Sequence, residues 1–166
     1  MATTITWKKP ILVDHIDPPG TNLPDRMADK EGLYFFSRRF GDGLYQPFYI
    51  GQSVHLKTRL EQYLCNKGKH ETRIRNVVVG EEDAYSGIQL SNGPRFYHYG
   101  YLTPRSGQQR DLTLDRAERA MIQYARIVGW KLINNHHASD QAFHRFEMEG
   151  SRFGGLLPGI VLAHKS

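Results

Sequence analysis

The sequence has 166 residues, one cysteine and a formal net charge of +5, a length typical of one domain that buries about 70% of its unfolded surface without disulfides. The single Cys65 excludes an internal disulfide and a cysteine-rich zinc site, and no apolar run reaches the roughly 20 residues that cross a bilayer. The first residues form no apolar secretory signal, so we expect a cytoplasmic location and no membrane partner.

The first half of the chain predicts an arm followed by a β-hairpin. Residues 1–30 contain Pro18, Pro19 and Pro24, which disfavour regular structure and predict an N-terminal arm with only a short strand at 11–13. Two aromatic runs, 32–37 and 46–50, then flank a Gly-Asp-Gly sequence. Aromatic and β-branched residues favour strands and glycine favours turns, so these runs predict a hairpin.

The period of the apolar residues changes to that of a helix after Gly51. The spacing predicts one helix over 54–65, with Ser53 as its cap, and a longer one over 114–128, with Thr113 as its cap and Gly129 as its end. The weaker signals between and after them predict a helix at 70–79, a loop at 80–94, a tyrosine-rich strand at 95–103 and a short strand at 130–133.

Arg59 and Tyr63 are the first pair of residues that suggest chemistry. They lie four positions apart, so both side chains share one face of the first predicted helix. A guanidinium presents a planar set of donors that suits a phosphate group. The alternative for the same pair is a solvated arginine beside a half-buried tyrosine.

The predicted hairpin carries the tripeptides Gly32-Leu33-Tyr34 and Tyr49-Ile50-Gly51, and Arg59 follows the second tripeptide in a helix. These features resemble the signature of the GIY-YIG nuclease family, from which the first tripeptide departs only by its leucine. Glu118, on the later helix, resembles the glutamate of that family that binds metal. The likeness covers about 31–66 and 112–135, leaving the arm, 67–111 and the C-terminal segment unmatched.

The resemblance implies a fold and a division of the chain. It implies a small α+β sandwich in which a central antiparallel sheet of three strands is flanked by helices. The nuclease core would span 31–135, with an insertion at about 67–111. The arm over 1–30 would precede this core, and 136–166 would be a C-terminal extension of the same domain.

The resemblance also implies Mg²⁺-dependent hydrolysis of DNA phosphodiesters with one metal ion, for which Mn²⁺ can substitute. Tyr34 would be the general base or would align the attacking water, and Arg59 would stabilise charge on the phosphate. Glu118 would hold the cation, for which one carboxylate with phosphate and water is sufficient. The remaining residues of the implied site are Tyr49, Tyr63 and one of Asn134 and Asn135.

Some features of the implied site differ from the family or have an ordinary structural alternative. Gln52 stands where some members have lysine, and Tyr63 stands where others have histidine, so the activation of Tyr34 is open, with His55 or His70 as substitutes. Glu118 could instead form a surface ion pair with Arg119 or another neighbour, as helical glutamates usually do.

Basic residues outside the implied site predict contacts with DNA phosphates, which give affinity that depends on salt. Double-stranded DNA is the expected partner, and cutting of both strands would suggest a homodimer. The aromatic run 96–101 could stack on bases, although alternating aromatics in a strand more often form sheet core. The predicted DNA-binding residues are Arg38, Arg39, Lys67, Lys69, Arg73, Arg75, Arg105 and Arg110.

Two other functions compete with a nuclease. A nucleic-acid-binding module could keep the fold without catalysis, but a carboxylate beside phosphate would then only repel it. A metal or histidine nuclease site could lie at Asn134–His137 with His144, although adjacent histidines in a strand point to opposite faces. Restriction, phage attack on host DNA, a bacterial toxin or repair are the settings that the family resemblance allows.

Overall fold

The computed structural model places nine strands and two helices in the described part of the chain. This part comprises residues 3–13, 27–39, 43–65, 84–85, 88–89, 94–103, 110–132, 144–151, 153 and 155–163. The strands are β1 Thr3–Trp7, β2 Ile11–Leu12, β3 Gly32–Arg38, β4 Gln46–Ser53, β5 Ala84–Tyr85, β6 Ile88–Gln89, β7 Arg95–Thr103, β8 His144–Gly150 and β9 Ile160–Ala163. The helices are α1 Leu56–Cys65 and α2 Arg110–Val128.

The main sheet is larger than the sequence predicts. Its strands follow the order β4-β3-β7-β1-β8-β9, and β2 pairs with β7 beyond the end of β1. All pairs are antiparallel except β1 with β8. The prediction of an α+β fold is therefore confirmed and the prediction of three strands is wrong, because three further strand positions extend the β4-β3-β7 unit.

The extra strands come partly from the predicted arm. β1 lies inside the sheet, between β7 and β8, and its Ile5 and Trp7 are buried. The alternation of these residues with threonines is a strand pattern, which the prolines later in the arm obscured. The short strand predicted at 11–13 is confirmed as β2, and the predicted hairpin is confirmed as β3 paired antiparallel with β4, with one register shift between Phe36 and Ser37.

The sheet has a helix and a separate apolar core on each face. Successive residues of a strand point to opposite faces, so Leu33 and Phe35 of β3 pack in the core that contains α2. Tyr34 and Phe36 pack in the other core, which contains Leu56 of α1. The central strand thus separates the two cores, and side chains from both faces approach each other at the edge strand β4.

The helix boundaries differ from the predictions at their N-terminal ends. α1 begins at Leu56, and α2 begins at Arg110, so Thr113 lies within α2 and is not its cap. The end of α2 at Gly129 is as predicted, with a positive φ of 83° that glycine adopts without strain. Residues 130–132 are not in a strand, contrary to the prediction. Neither described helix combines the length and apolarity needed to cross a membrane.

Candidate active site

Tyr34 occupies the middle of the tyrosine-rich face of the sheet. Its side chain points towards α1 and is buried. The ring stacks on Tyr49 at a centroid distance of 6.2 Å and lies 5.5 Å from the ring of Tyr97. Packing on both sides holds the phenol in one orientation, as a group that orients water or accepts its proton requires.

The glycines of the two tripeptides have a steric role in this arrangement. A Cβ atom at Gly51 would collide with the end of the Tyr34 ring, and a Cβ atom at Gly32 would collide with the backbone carbonyl of Gly100. Tyr34 therefore lies directly against the backbone of β4, and β3 lies close to β7. Both close contacts depend on the missing side chains.

Arg59 reaches Tyr34 from the first helix. Its Nε donates a hydrogen bond to the phenol oxygen of Tyr34 at 3.4 Å. The sequence places the two residues 25 positions apart, and the contact forms because α1 packs on the same face of the sheet to which Tyr34 points. A guanidinium and a phenol are therefore neighbours, as the family resemblance implies.

The start of α1 is fixed by Asp29, a residue that the sequence patterns do not single out. Its carboxylate accepts hydrogen bonds from the backbone N–H of Thr58 at 3.0 Å and from the Thr58 hydroxyl at 2.7 Å. Partial burial raises the pKa of Asp29, but the bonds from Thr58 and the nearby His55 outweigh this effect and lower it. Asp29 thus caps α1 through Thr58, the residue before Arg59. A local sequence pattern cannot predict this cap, because Asp29 and Thr58 are 29 positions apart.

The carboxylate of Asp29 also lies beside His55. Its Nδ1 lies 3.6 Å from Asp29, and its side chain is 63% exposed. The predicted cap Ser53 accepts a hydrogen bond from the backbone N–H of His55 at 3.0 Å, just before the helix begins. Both residues therefore shape the entry into α1.

Glu118 is buried on α2 at the margin of the other core. The residue is only 7% exposed, and Gln52 of β4 donates a hydrogen bond to its carboxylate. The pKa of Glu118 is raised to about 7, because burial and, to a smaller extent, neighbouring Asp115 raise it by more than Gln52 and the positive charges of Arg119 and Arg59 lower it. A carboxylate so placed favours a cation beside it.

Arg119, the predicted ion-pair partner of Glu118, pairs with Asp115 instead. Arg119 lies 3.0 Å from the carboxylate of Asp115, one helical turn earlier. Gln52 also reaches Asp115, at 3.5 Å, so this amide links β4 to both carboxylates of α2. Sequence analysis singles out Gln52 only because some members of the family have lysine at this position. Its contacts with Asp115 and Glu118 arise because its side chain lies on the α2 face of β4.

An open cleft of about 580 Å³ connects the two helices at this edge of the sheet. Arg59 and Gln52 line it, together with Leu114, which lies one helical turn before Glu118. Its other lining residues are Ser53, Val54, His55 and Thr58. The cleft gives an anionic group access to Arg59 from solvent.

The donor set at Glu118 fits a hard cation. Within the described ranges, no group of three or more histidine, cysteine, aspartate and glutamate side chains could hold a metal ion. Mg²⁺ commonly takes one or two carboxylates and completes its shell with water and substrate phosphate. Glu118, with Asp115 on the same side of α2 and an open cleft nearby, meets that need.

The structure brings Tyr34, Tyr49 and Arg59 into contact and places Glu118 within electrostatic reach of Arg59, and it leaves other predicted residues apart or undescribed. Tyr63 lies in α1 and Arg110 begins α2, but their side chains are not among those described. The aromatic residues Tyr97 and Tyr99 of β7 are buried, which confirms the prediction of sheet core. Outside the described residues lie Asn134, Asn135, Lys67, Lys69, Arg73, Arg75, Arg105, His70, the predicted helix at 70–79 and the alternative site at 134–137.

Arg38 and Arg39 lie at the opposite end of the β3–β4 hairpin from Arg59. Arg38 Nε donates to the side-chain oxygen of Gln46 at 3.1 Å, and Arg39 Nε donates to the carbonyl of Gly43 at 2.8 Å. These two arginines are therefore not part of the group around Tyr34. Any DNA that contacts both groups must extend along the hairpin.

Comparisons with protein-family models, curated proteins and solved structures find no match to this chain. Any assignment of function to this chain therefore rests on the geometry around Tyr34, Arg59 and Glu118.

Proposed function

We propose that this protein is a Mg²⁺-dependent DNA endonuclease with a GIY-YIG-like core formed by β4, β3, β7, α1 and α2. One observation carries the proposal: the Arg59–Tyr34 hydrogen bond lies at the same edge of the sheet as the buried carboxylate of Glu118. A phenol, a guanidinium and a carboxylate are the groups needed to orient water, bind phosphate and hold Mg²⁺. They come from three separate elements of the fold.

Each side chain has a chemical role in phosphodiester hydrolysis. Arg59 binds the scissile phosphate through the cleft and neutralises the charge that grows on its oxygens. The phenol oxygen of Tyr34 orients the attacking water. The N–H that Arg59 donates stabilises the phenolate form of Tyr34, which takes one proton from that water and becomes a neutral phenol as the hydroxide attacks phosphorus. Glu118 would hold Mg²⁺, which would supply Lewis-acid stabilisation of charge on the leaving 3′ oxygen.

The site also supports catalysis over simple binding. A protein that only binds DNA gains nothing from a buried carboxylate beside a phosphate cleft, because the carboxylate repels phosphate and is costly to bury. The same carboxylate is useful where a divalent cation joins it to the substrate. We therefore place the catalytically inactive binding module second.

A plasmid assay with a matched pair of variants tests the proposal. Wild type, Glu118→Gln and Glu149→Gln are incubated with supercoiled or single-stranded DNA in Mg²⁺, Mn²⁺ or chelator, after circular dichroism has verified folding. Glu149 is an exposed carboxylate on β8, four strand positions from β4. We expect cutting that needs the cation, is unchanged in Glu149→Gln and falls at least about 100-fold in Glu118→Gln.

Two results would contradict this proposal. Cutting by folded Glu118→Gln at the wild-type rate would remove Glu118 from the site. Folded wild type that cuts neither substrate with either cation, yet binds DNA with an affinity that falls with salt, would favour the binding module. Cutting of both strands at one site would further support a homodimer on double-stranded DNA.

A further inference from the structure

A second pocket lies at the far end of the β3–β4 hairpin from the candidate active site. It has a volume of about 450 Å³, within the range of small-molecule sites. Its walls include Tyr45, Phe48 and Trp130, with Arg38, Lys131 and Leu44 around them. Strands rise about 3.3 Å per residue, so the six residues from Gln46 to Gln52 place the two sites about 20 Å apart.

The aromatic walls of this pocket are held by their neighbours. Arg39 donates to the Tyr45 hydroxyl at 3.1 Å and lies 4.7 Å from the centre of the ring. Trp130 packs edge-to-face with Tyr124 at 5.5 Å and contacts Phe35 of the core. A ligand that stacks on these rings therefore meets surfaces that are already ordered, which reduces the entropic cost of binding.

The charge of the pocket is positive. Arg38 and Lys131 both line it, and none of its described lining residues is acidic. Leu44 is 66% exposed and adds apolar surface to this wall of the pocket. Aromatic rings for stacking beside cations for phosphate are the combination that proteins use to bind unpaired nucleotides.

We propose that this pocket binds an unpaired nucleotide of the DNA substrate, with its base against Trp130 and Tyr45 and its phosphate at Lys131 and Arg38. The inference rests on the proposed function for the identity of the polymer. A base inside a duplex cannot enter a pocket unless it leaves the stack. The substrate class is therefore DNA with a single-stranded segment, unpaired about six nucleotides from the scissile phosphate at the duplex spacing of about 3.4 Å.

Tryptophan fluorescence can report on this pocket directly. The chain has two tryptophans, and Trp7 is only 2% exposed in the core, so Trp130 is the one that a stacked base quenches. An eight-residue oligothymidylate is titrated into the full-length Glu118→Gln variant, which prevents cutting during the measurement. We expect saturable quenching that disappears in Trp130→Phe.

Two matched comparisons separate stacking from general attraction to charge. An oligonucleotide of the same length with abasic sites should bind about tenfold more weakly and quench little, since stacking contributes about 1–3 kcal/mol per base. Lys131→Gln should lower the slope of log affinity against log salt by about 0.7, the value for one phosphate contact on a single strand. Lys8→Gln, an exposed lysine outside the pocket, should leave it unchanged.

The outcomes distinguish this proposal from the proposed function. Equal quenching by the abasic oligonucleotide, or equal salt slopes for Lys131→Gln and Lys8→Gln, would overturn the nucleotide pocket. Plasmid cutting without quenching would also overturn it while leaving the nuclease in place. Quenching with the expected slopes in a chain that never cuts DNA would support the pocket and contradict the nuclease.

Discussion

The two faces of the sheet differ in chemistry although the same strands supply both. On the α2 face, β3 contributes Leu33 and Phe35 to a mainly apolar core, with the buried Ser37–His98 hydrogen bond of 2.6 Å as a polar contact inside it. On the α1 face, β3 and β7 contribute Tyr34, Tyr97 and Tyr99. One face thus resembles an ordinary core, whereas the other carries phenol groups.

The hydroxyls of the α1 face fix the elements around it. Tyr97 donates to the carbonyl of Leu56 at 3.2 Å, and Tyr101 donates to the carbonyl of Ala28 at 3.0 Å. Burial raises the pKa of both phenols, so they stay protonated and keep these donors at neutral pH. The α2 face provides stability, and the α1 face uses polar contacts to place α1 and Arg59.

Exchanging one side chain on each face tests this division most strongly. Phe35→Ala removes a ring that stacks 4.1 Å from His98 and contacts Trp7 and Phe153, so we expect a loss of about 4 kcal/mol in the free energy of unfolding. Tyr34→Phe keeps the ring and should cost less than about 1 kcal/mol. Its plasmid cutting should nevertheless fall about 100-fold or more.

Urea unfolding and the plasmid assay measure the two effects separately. If Tyr34→Phe destabilised the protein as much as Phe35→Ala, the phenol would be a structural group. Wild-type cutting by Tyr34→Phe would remove its catalytic role. Either result would erase the difference between the faces.

The pH dependence of the free energy of unfolding should show that ionised Glu118, buried on the α2 face, destabilises the folded protein. The folded protein holds its proton up to about pH 7, whereas the unfolded chain releases it near 4.5. The folded state therefore binds more protons between these values, and stability falls as pH rises through that window. In chelator we expect wild type to lose about 3 kcal/mol between pH 4 and pH 8 relative to Glu118→Gln.

Glu149→Gln is the control for this series of urea titrations, because it removes an exposed carboxylate from β8. Its pH profile should follow that of wild type. Added Mg²⁺ should restore part of the stability of wild type at pH 8 and none in Glu118→Gln, since only an ionised carboxylate binds the cation. Parallel profiles for wild type and Glu118→Gln would show that burial of Glu118 carries no cost.

Adding a side chain at Gly51 tests the packing of the α1 face, with a smaller expected effect on stability. Gly51→Ala forces its Cβ against the Tyr34 ring, and overpacking of this kind should cost about 2 kcal/mol and reduce cutting strongly. Gly129→Ala meets no atom within 4 Å but keeps a positive φ, so it should cost about 1 kcal/mol and leave cutting intact. Equal losses of cutting in the two variants would exclude a specific contact between Gly51 and Tyr34.

The features that sequence could predict are those written in local patterns. The aromatic runs predicted the β3–β4 hairpin, and the helical period predicted the helices that carry Arg59 and Glu118. The tripeptides marked Tyr34 and Tyr49 as site residues, and the structure stacks their rings 6.2 Å apart. Helix starts were less accurate, since α1 takes a cap from outside its own sequence.

The features that sequence could not predict depend on contacts between distant parts of the chain. β1 is a sheet strand because it pairs with β8, about 140 positions later, and its short alternation alone did not separate it from the proline-rich arm. Gln52 became important only when β4 lay beside α2, where it contacts Asp115 and Glu118. Composition and local spacing cannot predict such contacts between distant parts of the chain.

The cap at Asp29 gives the smallest expected effect and tests how α1 is placed. Asp29→Ala removes both acceptors for Thr58 and should cost about 1 kcal/mol, the usual value of an N-terminal cap. Asp29→Asn keeps an acceptor for the Thr58 N–H and should cost only a few tenths of that amount. Because Thr58 adjoins Arg59, we expect cutting to fall several-fold in Asp29→Ala and little in Asp29→Asn. If both variants lost activity equally, the negative charge of Asp29 near His55, and not the hydrogen bonds to Thr58, would be what cutting requires. The contacts of the tyrosine face would then be sufficient to position α1 without the cap.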